Sequence, residues 1–199
     1  MLGMSSPNLF DLRQDLYKKI FNEAQPYDRF LADSEEKYRA RWESFRESLV
    51  VPDKVATTIR GFSRQMNILV LAGAWCGDCA RQCPMLEELC ELSHHLHIRY
   101  LDNQAVPELR DEFRIHGAAR VPVVIILSED YFEVARFGDK TLSAYRRKAK
   151  RELGAACDSG IGLPPQEELQ EELAEWSNML ERSQLMLRVS PFLRARHND

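Results

Sequence analysis

Cys76 and Cys79, separated by Gly77 and Asp78 and preceded by Trp75, are the residues of this chain best suited to chemistry. Two thiols two residues apart can close a small disulfide ring reversibly, so dithiol and disulfide exchange is the chemistry to weigh first. The apolar run Ile68 to Leu71 just before them predicts a buried strand, and the pattern after them predicts a helix that begins near Cys76. Unpaired N–H groups and the positive dipole end of such a helix favour a thiolate. On this reading Cys76 attacks, and Cys79, one turn further in, resolves the mixed disulfide. A CxxC pair is also half of many zinc sites, but a closed site takes a second ligand pair, and no further CxxC, CxxH or HxxxH occurs.

The elements that must hold this pair are legible on either side of it. Ala80 to Leu92 reads as one helix, with Cys83, Leu86, Leu89 and Cys90 at helical spacing and Pro84 as a kink. His97 to Asp102 predicts a second strand and Val106 to Phe113 a short helix. Arg120 to Leu127 places Pro122 at the mouth of a β-branched strand, where a missing N–H does no harm and a cis X-Pro bond is admissible. Tyr131 to Phe137 alternates like a further strand and ends at Gly138 and Asp139.

Taken together, ILVLAGAWCGDC, Pro84, the LDN at 101–103, RVPVVIIL and the FGD at 137–139 make the chain resemble the thioredoxin family over about residues 64–152. The resemblance implies an α/β thioredoxin-like fold, a central mixed sheet flanked by helices. It implies that Cys76 is the attacking thiol, Cys79 the buried resolving thiol and Trp75 the shield of the site. Pro122 resembles the cis proline that faces the disulfide, Val121 would offer its backbone to an extended substrate, and Gly138 would lie on the substrate groove. Four features depart from the pattern. Val70 stands where thioredoxins keep a buried aspartate, and Asp78 replaces the usual proline between the cysteines. The connection from Asp102 to Pro122 is longer, with GAAR at 117–120, and the usual first strand and helix are not recognisable.

In their place the chain opens with helical patterns. Leu9, Leu12, Leu16, Tyr17, Ile20, Phe21 and Ala24 mark one stripe; Tyr38, Trp42, Phe45 and Leu49 mark another, with Asp33 to Glu36 as an expected capping box. Pro52 to Phe62 predicts a third helix, Lys140 to Leu153 another, and Gln166 to Leu187 a last one with Leu169, Leu173, Trp176 and Leu180 on one side. The expected division is an N-terminal helical extension over 1–63, the thioredoxin-like domain over 64–153, a Gly- and Pro-rich linker over 154–165 and a C-terminal helical extension over 166–199. The stripes are expected to pack on the redox domain; a partner or dimer surface is the alternative.

The balance of 27 basic and 31 acidic residues gives a net charge of −4, which argues against a nucleic-acid groove and against an anionic membrane surface. The start MLGMSSPNLFDLRQD lacks the basic and apolar segments of a leader, and no apolar run reaches membrane length, so a cytoplasmic location is expected. Five cysteines in that setting read as free thiols with one catalytic pair. Cys83 is either a third, regulatory thiol or a small buried residue. His94, His95 and His97 with Cys90 are weighed as a metal site against exposed residues at a helix end. The basic residues Arg146, Arg147, Lys148, Lys150 and Arg151 read as a solvated helix end.

The function implied is that of a thiol–disulfide oxidoreductase that reduces protein or small-molecule disulfides without a bound cofactor and draws electrons from a reductase. A specialised peroxide or thiol reductase is one alternative. A non-catalytic binding module on the same scaffold, or a metal-handling protein using Cys76, Cys79 and Cys83, is another.

Overall fold

A computed structural model describes residues 10–153 and 164–198. Four helices come first: α1 (Gln14–Glu23), α2 (Tyr27–Ala32), α3 (Glu36–Glu47) and α4 (Asp53–Arg60). The alternating part follows as β1 (Met66–Ala72), α5 (Gly77–Glu91), β2 (Leu96–Asp102), α6 (Pro107–Glu112), β3 (Val123–Ser128), β4 (Glu133–Gly138) and α7 (Leu142–Leu153). The chain closes with α8 (Gln166–Arg188) and α9 (Pro191–His197). The sheet runs β2-β1-β3-β4, with β1 parallel to β2 and antiparallel to β3, and β4 antiparallel to β3. This is the thioredoxin-like architecture: a mixed sheet flanked by helices, with added helices at both ends.

β1 and β3 are apolar at almost every position because both faces of the sheet are covered. Ile68, Val70, Ala72, Val124 and Ile126 share one core with Trp42 and Phe45 of α3, Ile59 of α4, Leu86 and Leu89 of α5, and Leu173, Trp176 and Leu180 of α8. Leu69, Leu71, Val123, Ile125 and Leu127 point the other way, onto Tyr17, Ile20 and Phe21 of α1 and Leu109 and Phe113 of the α6 region. The period-2 alternation of a strand thus sorts successive residues into two layers. Helices from both ends of the chain belong to the layer that carries α5. A fully buried tryptophan contributes several kcal/mol on the scale of ~25 cal/mol per Å², so Trp42 and Trp176 bind these ends to the sheet firmly.

Polar contacts complete the attachment of α8. Gln184 accepts from the N–H of Arg64 at 2.8 Å and donates to its carbonyl at 2.9 Å, pinning α8 beside the entry to β1. Glu172, fully buried, receives Arg81 of α5 at 2.6 Å and also Arg147 of α7. A buried carboxylate with no cation would be expensive, so this triad holds three helices in one register. Arg147 belongs to the basic run expected to be solvated; it instead pairs with α8.

Several local expectations are corrected. The capping box at Asp33 to Glu36 does not form: Glu35 is the residue before α3 and no side chain caps it. α2 ends at Asp33, so the Ser34 hydroxyl bonds back to the Leu31 carbonyl at 2.7 Å and Asp33 faces Arg29. Leu12 precedes α1, and Leu12 and Leu16 are 86% and 42% exposed, because Tyr17, Ile20 and Phe21 alone fill the contact with the sheet. α5 begins at Gly77 and passes through Pro84 to Glu91. Gln166 to Leu187 is not the last helix: Ser190 caps the Leu193 N–H and Pro191 opens α9. Leu9, Cys157 and the linker positions 154–163 lie outside the described residues. No helix among the described residues is long and apolar enough to cross a membrane.

Candidate redox site

The end of β1 delivers the chain to the redox loop. The N–H of Cys76 returns to the Gly73 carbonyl at 2.9 Å, and the Cys76 carbonyl accepts from Ala80 at 2.9 Å, so Cys76 is the residue on which α5 starts. A side chain at Gly73 would collide with the Trp75 indole at 2.7 Å; the ring folds back over this glycine and remains 48% exposed. The loop is also held from α3, because the Trp42 indole N–H donates to the Ala74 carbonyl at 2.9 Å. The neighbouring Arg41 guanidinium lies against Gly77, where a Cβ would stand 2.8 Å from it. Beside Trp75 an open cleft of about 410 Å³ is bordered by Tyr38 and the acidic residues Asp33, Glu35 and Asp102.

Cys76 sits at the rim, 8% exposed, and its thiol donates to the Val121 carbonyl at 3.6 Å. Val121–Pro122 is cis. Cys79 lies behind, fully buried, and both thiols are free. Contact with the Cys79 thiol, and then burial, push Cys76 up; the N–H groups of Cys79 and Asp78 act in the opposite sense. The expected help from the helix start is therefore present, yet in the reduced pair it is outweighed by the second thiol and by desolvation. Burial pushes Cys79 well up as well. Of the two thiols, Cys76 is the less deeply buried and the one that lies at the helix N–H groups.

Gly138 packs across from this pair. A Cβ there would be 2.7 Å from the Pro122 carbonyl oxygen and 2.8 Å from Ile115, so glycine is required by the close approach. The next residue, Asp139, is buried; its carboxylate receives Arg120 at 3.0 Å and the Tyr145 hydroxyl, and its carbonyl accepts from Gln82 of α5 at 2.8 Å. These partners hold the Asp139 carboxyl down to about 2 against the effect of burial. Lys140 then reaches Asp78 at 2.5 Å. The structure thus brings Trp75, Cys76, Gly77, Asp78, Cys79, Val121, Pro122 and Gly138 to one place, and adds Arg41, Arg120, Asp139 and Lys140, which sequence reading did not single out. The FGD at 137–139 includes Asp139 only as part of the resemblance; no spacing ties Lys140 to the cysteines.

Val70 is fully buried and in register with Tyr100 on β2. The Tyr100 hydroxyl bonds to Glu87 at 2.8 Å and to the Cys83 carbonyl at 3.3 Å, so the carboxyl on this side of α5 is Glu87, deeper along the helix. Cys83 and Cys90 are buried. The His94 and His95 rings lie tilted at 40° with centroids 4.0 Å apart, and no group of three or more His, Cys, Asp or Glu among the described residues is arranged to hold a metal ion. Cys90 is enclosed in the core, which separates it from the histidines at the helix end.

Residues 24–144 match the model of a family described as thioredoxin. Among solved structures, the chain is similar to a protein of unknown function from Pseudomonas aeruginosa, with a TM-score of 0.67 at 17% identity over 84% of this chain and 98% of that one. It is also similar to an HIV epitope-scaffold, with a TM-score of 0.62 at 18% identity over 83% of this chain and 98% of that one. At these identities the likeness concerns the fold. No curated protein matches the chain.

Proposed function

The chain belongs to the thioredoxin family, and from that premise we propose that it is a thiol–disulfide oxidoreductase reducing protein or small-molecule disulfides through Cys76 and Cys79. The observation that carries this reading is the order of the two thiols. Cys76 stands at the rim where α5 begins, against the Val121 carbonyl, and Cys79 lies directly behind it in the core. A substrate disulfide reaches Cys76 first. Its thiolate attacks one substrate sulfur, the substrate S–S bond breaks, and the leaving thiolate takes a proton. Cys79 then loses its proton and attacks Cys76 Sγ, which releases the second substrate thiol and closes the Cys76–Cys79 disulfide.

In this proposal Val121 and Gly138 flank an extended substrate segment, Trp75 shields the pair, and a reductase returns two electrons to the disulfide in the cytoplasm. Insulin reduction by full-length protein tests it. Cys76→Ser is expected to abolish turnover, and Cys79→Ser to react once and remain disulfide-linked to its target. Retained turnover in Cys76→Ser would show that Cys76 is not the attacking thiol, and no turnover by the wild type together with no trapped adduct in Cys79→Ser would show that the scaffold serves binding instead.

A further inference from the structure

Asp78 is the feature of the redox loop that works against a thiolate. It lies in the first turn of α5, two residues after Cys76, and a carboxylate there repels a second negative charge. Seen from the helix alone, the residue should make Cys76 harder to ionise. The tertiary structure changes this. Gly138 fits against Pro122 without a side chain, the Asp139 carbonyl takes the Gln82 amide, and the chain is carried over the first turn of α5. There the Lys140 ammonium stands 2.5 Å from Asp78 and 3.4 Å from Asp139.

We propose that Lys140 is a positioning residue of the redox site, which cancels the charge of Asp78 and so lets Cys76 ionise at the start of α5. This rests on the reading of Cys76 as the attacking thiol. The other charges around the loop are already committed. Asp139 is held by Arg120 and Tyr145, so Lys140 is not needed to neutralise it. Arg81, which also feels Asp78, is bound to Glu168 and Glu172 of α8. The exception is Arg41 of α3, which lies on Gly77 and forms no salt bridge among the described residues, so it is a second positive charge at the loop. Cys79 is the remaining titratable neighbour of Cys76. The Lys140 side chain is 14% exposed and that of Asp78 41%, so solvent screens this half-covered pair less than it would a fully exposed one. Removing Lys140 therefore leaves the Asp78 carboxylate without its cation, whereas removing Asp78 leaves Lys140 with Asp139 alone.

The two single substitutions have opposite signs, which a merely structural role would not produce. Labelling of Cys76 by iodoacetamide in the reduced full-length protein, followed by mass spectrometry from pH 5 to 10, reads the thiolate directly. Lys140→Met is expected to slow labelling at pH 7 by about three- to tenfold, as its profile moves up by about half to one pH unit. Asp78→Asn is expected to speed it by a similar factor, the double variant to return to within about twofold of the wild type, and Lys140→Arg to preserve the wild-type profile. Wild-type labelling in Lys140→Met, or a double variant as slow as Lys140→Met alone, overturns the proposal. If Lys140→Met fails to fold, Asp78→Asn and Lys140→Arg decide: slower or unchanged labelling in Asp78→Asn overturns it. Insulin reduction that survives Cys76→Ser overturns the underlying reading and the proposal with it. Cys76-dependent reduction with wild-type labelling in Lys140→Met overturns the proposal alone.

Discussion

The two ends of α5 carry thiols in very different company. At its start, Cys76 has backbone N–H donors, a route to solvent and a carboxylate matched by a lysine. Further along, Cys83 and Cys90 are shut into the core, and Glu87 meets Tyr100 without a salt-bridge partner among the described residues. Burial holds Glu87 up to about 7, with Glu91 and Asp28 adding to the rise and the Tyr100 hydroxyl and Arg46 opposing it. One helix thus has an end that the proposed chemistry makes reactive and an end that is packed. The difference is made by what lies against it, since the residue types are the same.

The sharpest way to break this comparison is to exchange the roles of its cysteines. Cys76→Ser is expected to lower insulin reduction by more than about a hundredfold, whereas Cys83→Ala should stay within about twofold of the wild type and cost only about 1 kcal/mol in a denaturant melt. Comparable losses from both would show that Cys83 takes part in the chemistry. The attachment of α3 to the reactive end comes next. Trp42→Ala removes a fully buried ring and the hydrogen bond to Ala74, and should cost about 3–5 kcal/mol. Trp42→Phe should recover most of that stability while still lowering turnover, because the redox loop loses its tether; equal turnover would make the tether irrelevant.

Gly138→Ala probes the opposite wall of the site. Its methyl group would press on the Pro122 carbonyl, so a loss of about 1–3 kcal/mol and a rise in KM for protein substrates are expected. A neutral result would show that the backbone there shifts freely. The smallest effect belongs to the packed end. Because folding raises Glu87 from an ordinary value of 4.5 to about 7, its stabilising neutral form is fully present below about pH 4.5 and its contribution is lost as pH climbs through 7. Glu87→Gln should therefore match the wild type near pH 5 and exceed it at pH 8 by on the order of 1 kcal/mol, discounted for partial exposure. Melting curves with the opposite trend would mean that Glu87 is ionised in the fold.

Much of this was legible in the residues themselves. The continuous apolar run before Trp75, the CxxC pair and Pro122 before a β-branched strand each report a local demand, and local demands follow from covalent spacing and side-chain shape; Gly138 entered only through the family resemblance, because its demand is the approach of Pro122 and Ile115. β1 and β3, α5, and the stripes of α3 and α8 could be read for the same reason, since period 2 and period 3.6 are properties of neighbouring positions. α2 and α9 were not legible: with six and seven residues they show too little of a period, and the end of α2 at Asp33 removed the capping box expected there.

What only the tertiary structure decided is which charges meet. Asp78 and Lys140 are 62 positions apart, and Arg81 reaches Glu172 only because α8 comes back across α5. An isolated CGDC motif presents a carboxylate beside a thiol; the folded chain presents a neutral pair. Electrostatic energy depends on distances between groups and on the solvent excluded from between them, and neither quantity exists until the sheet, α5 and the turn after β4 have packed. The sequence alone therefore shows where the paired thiols lie, while the fold determines which charges and N–H donors surround them.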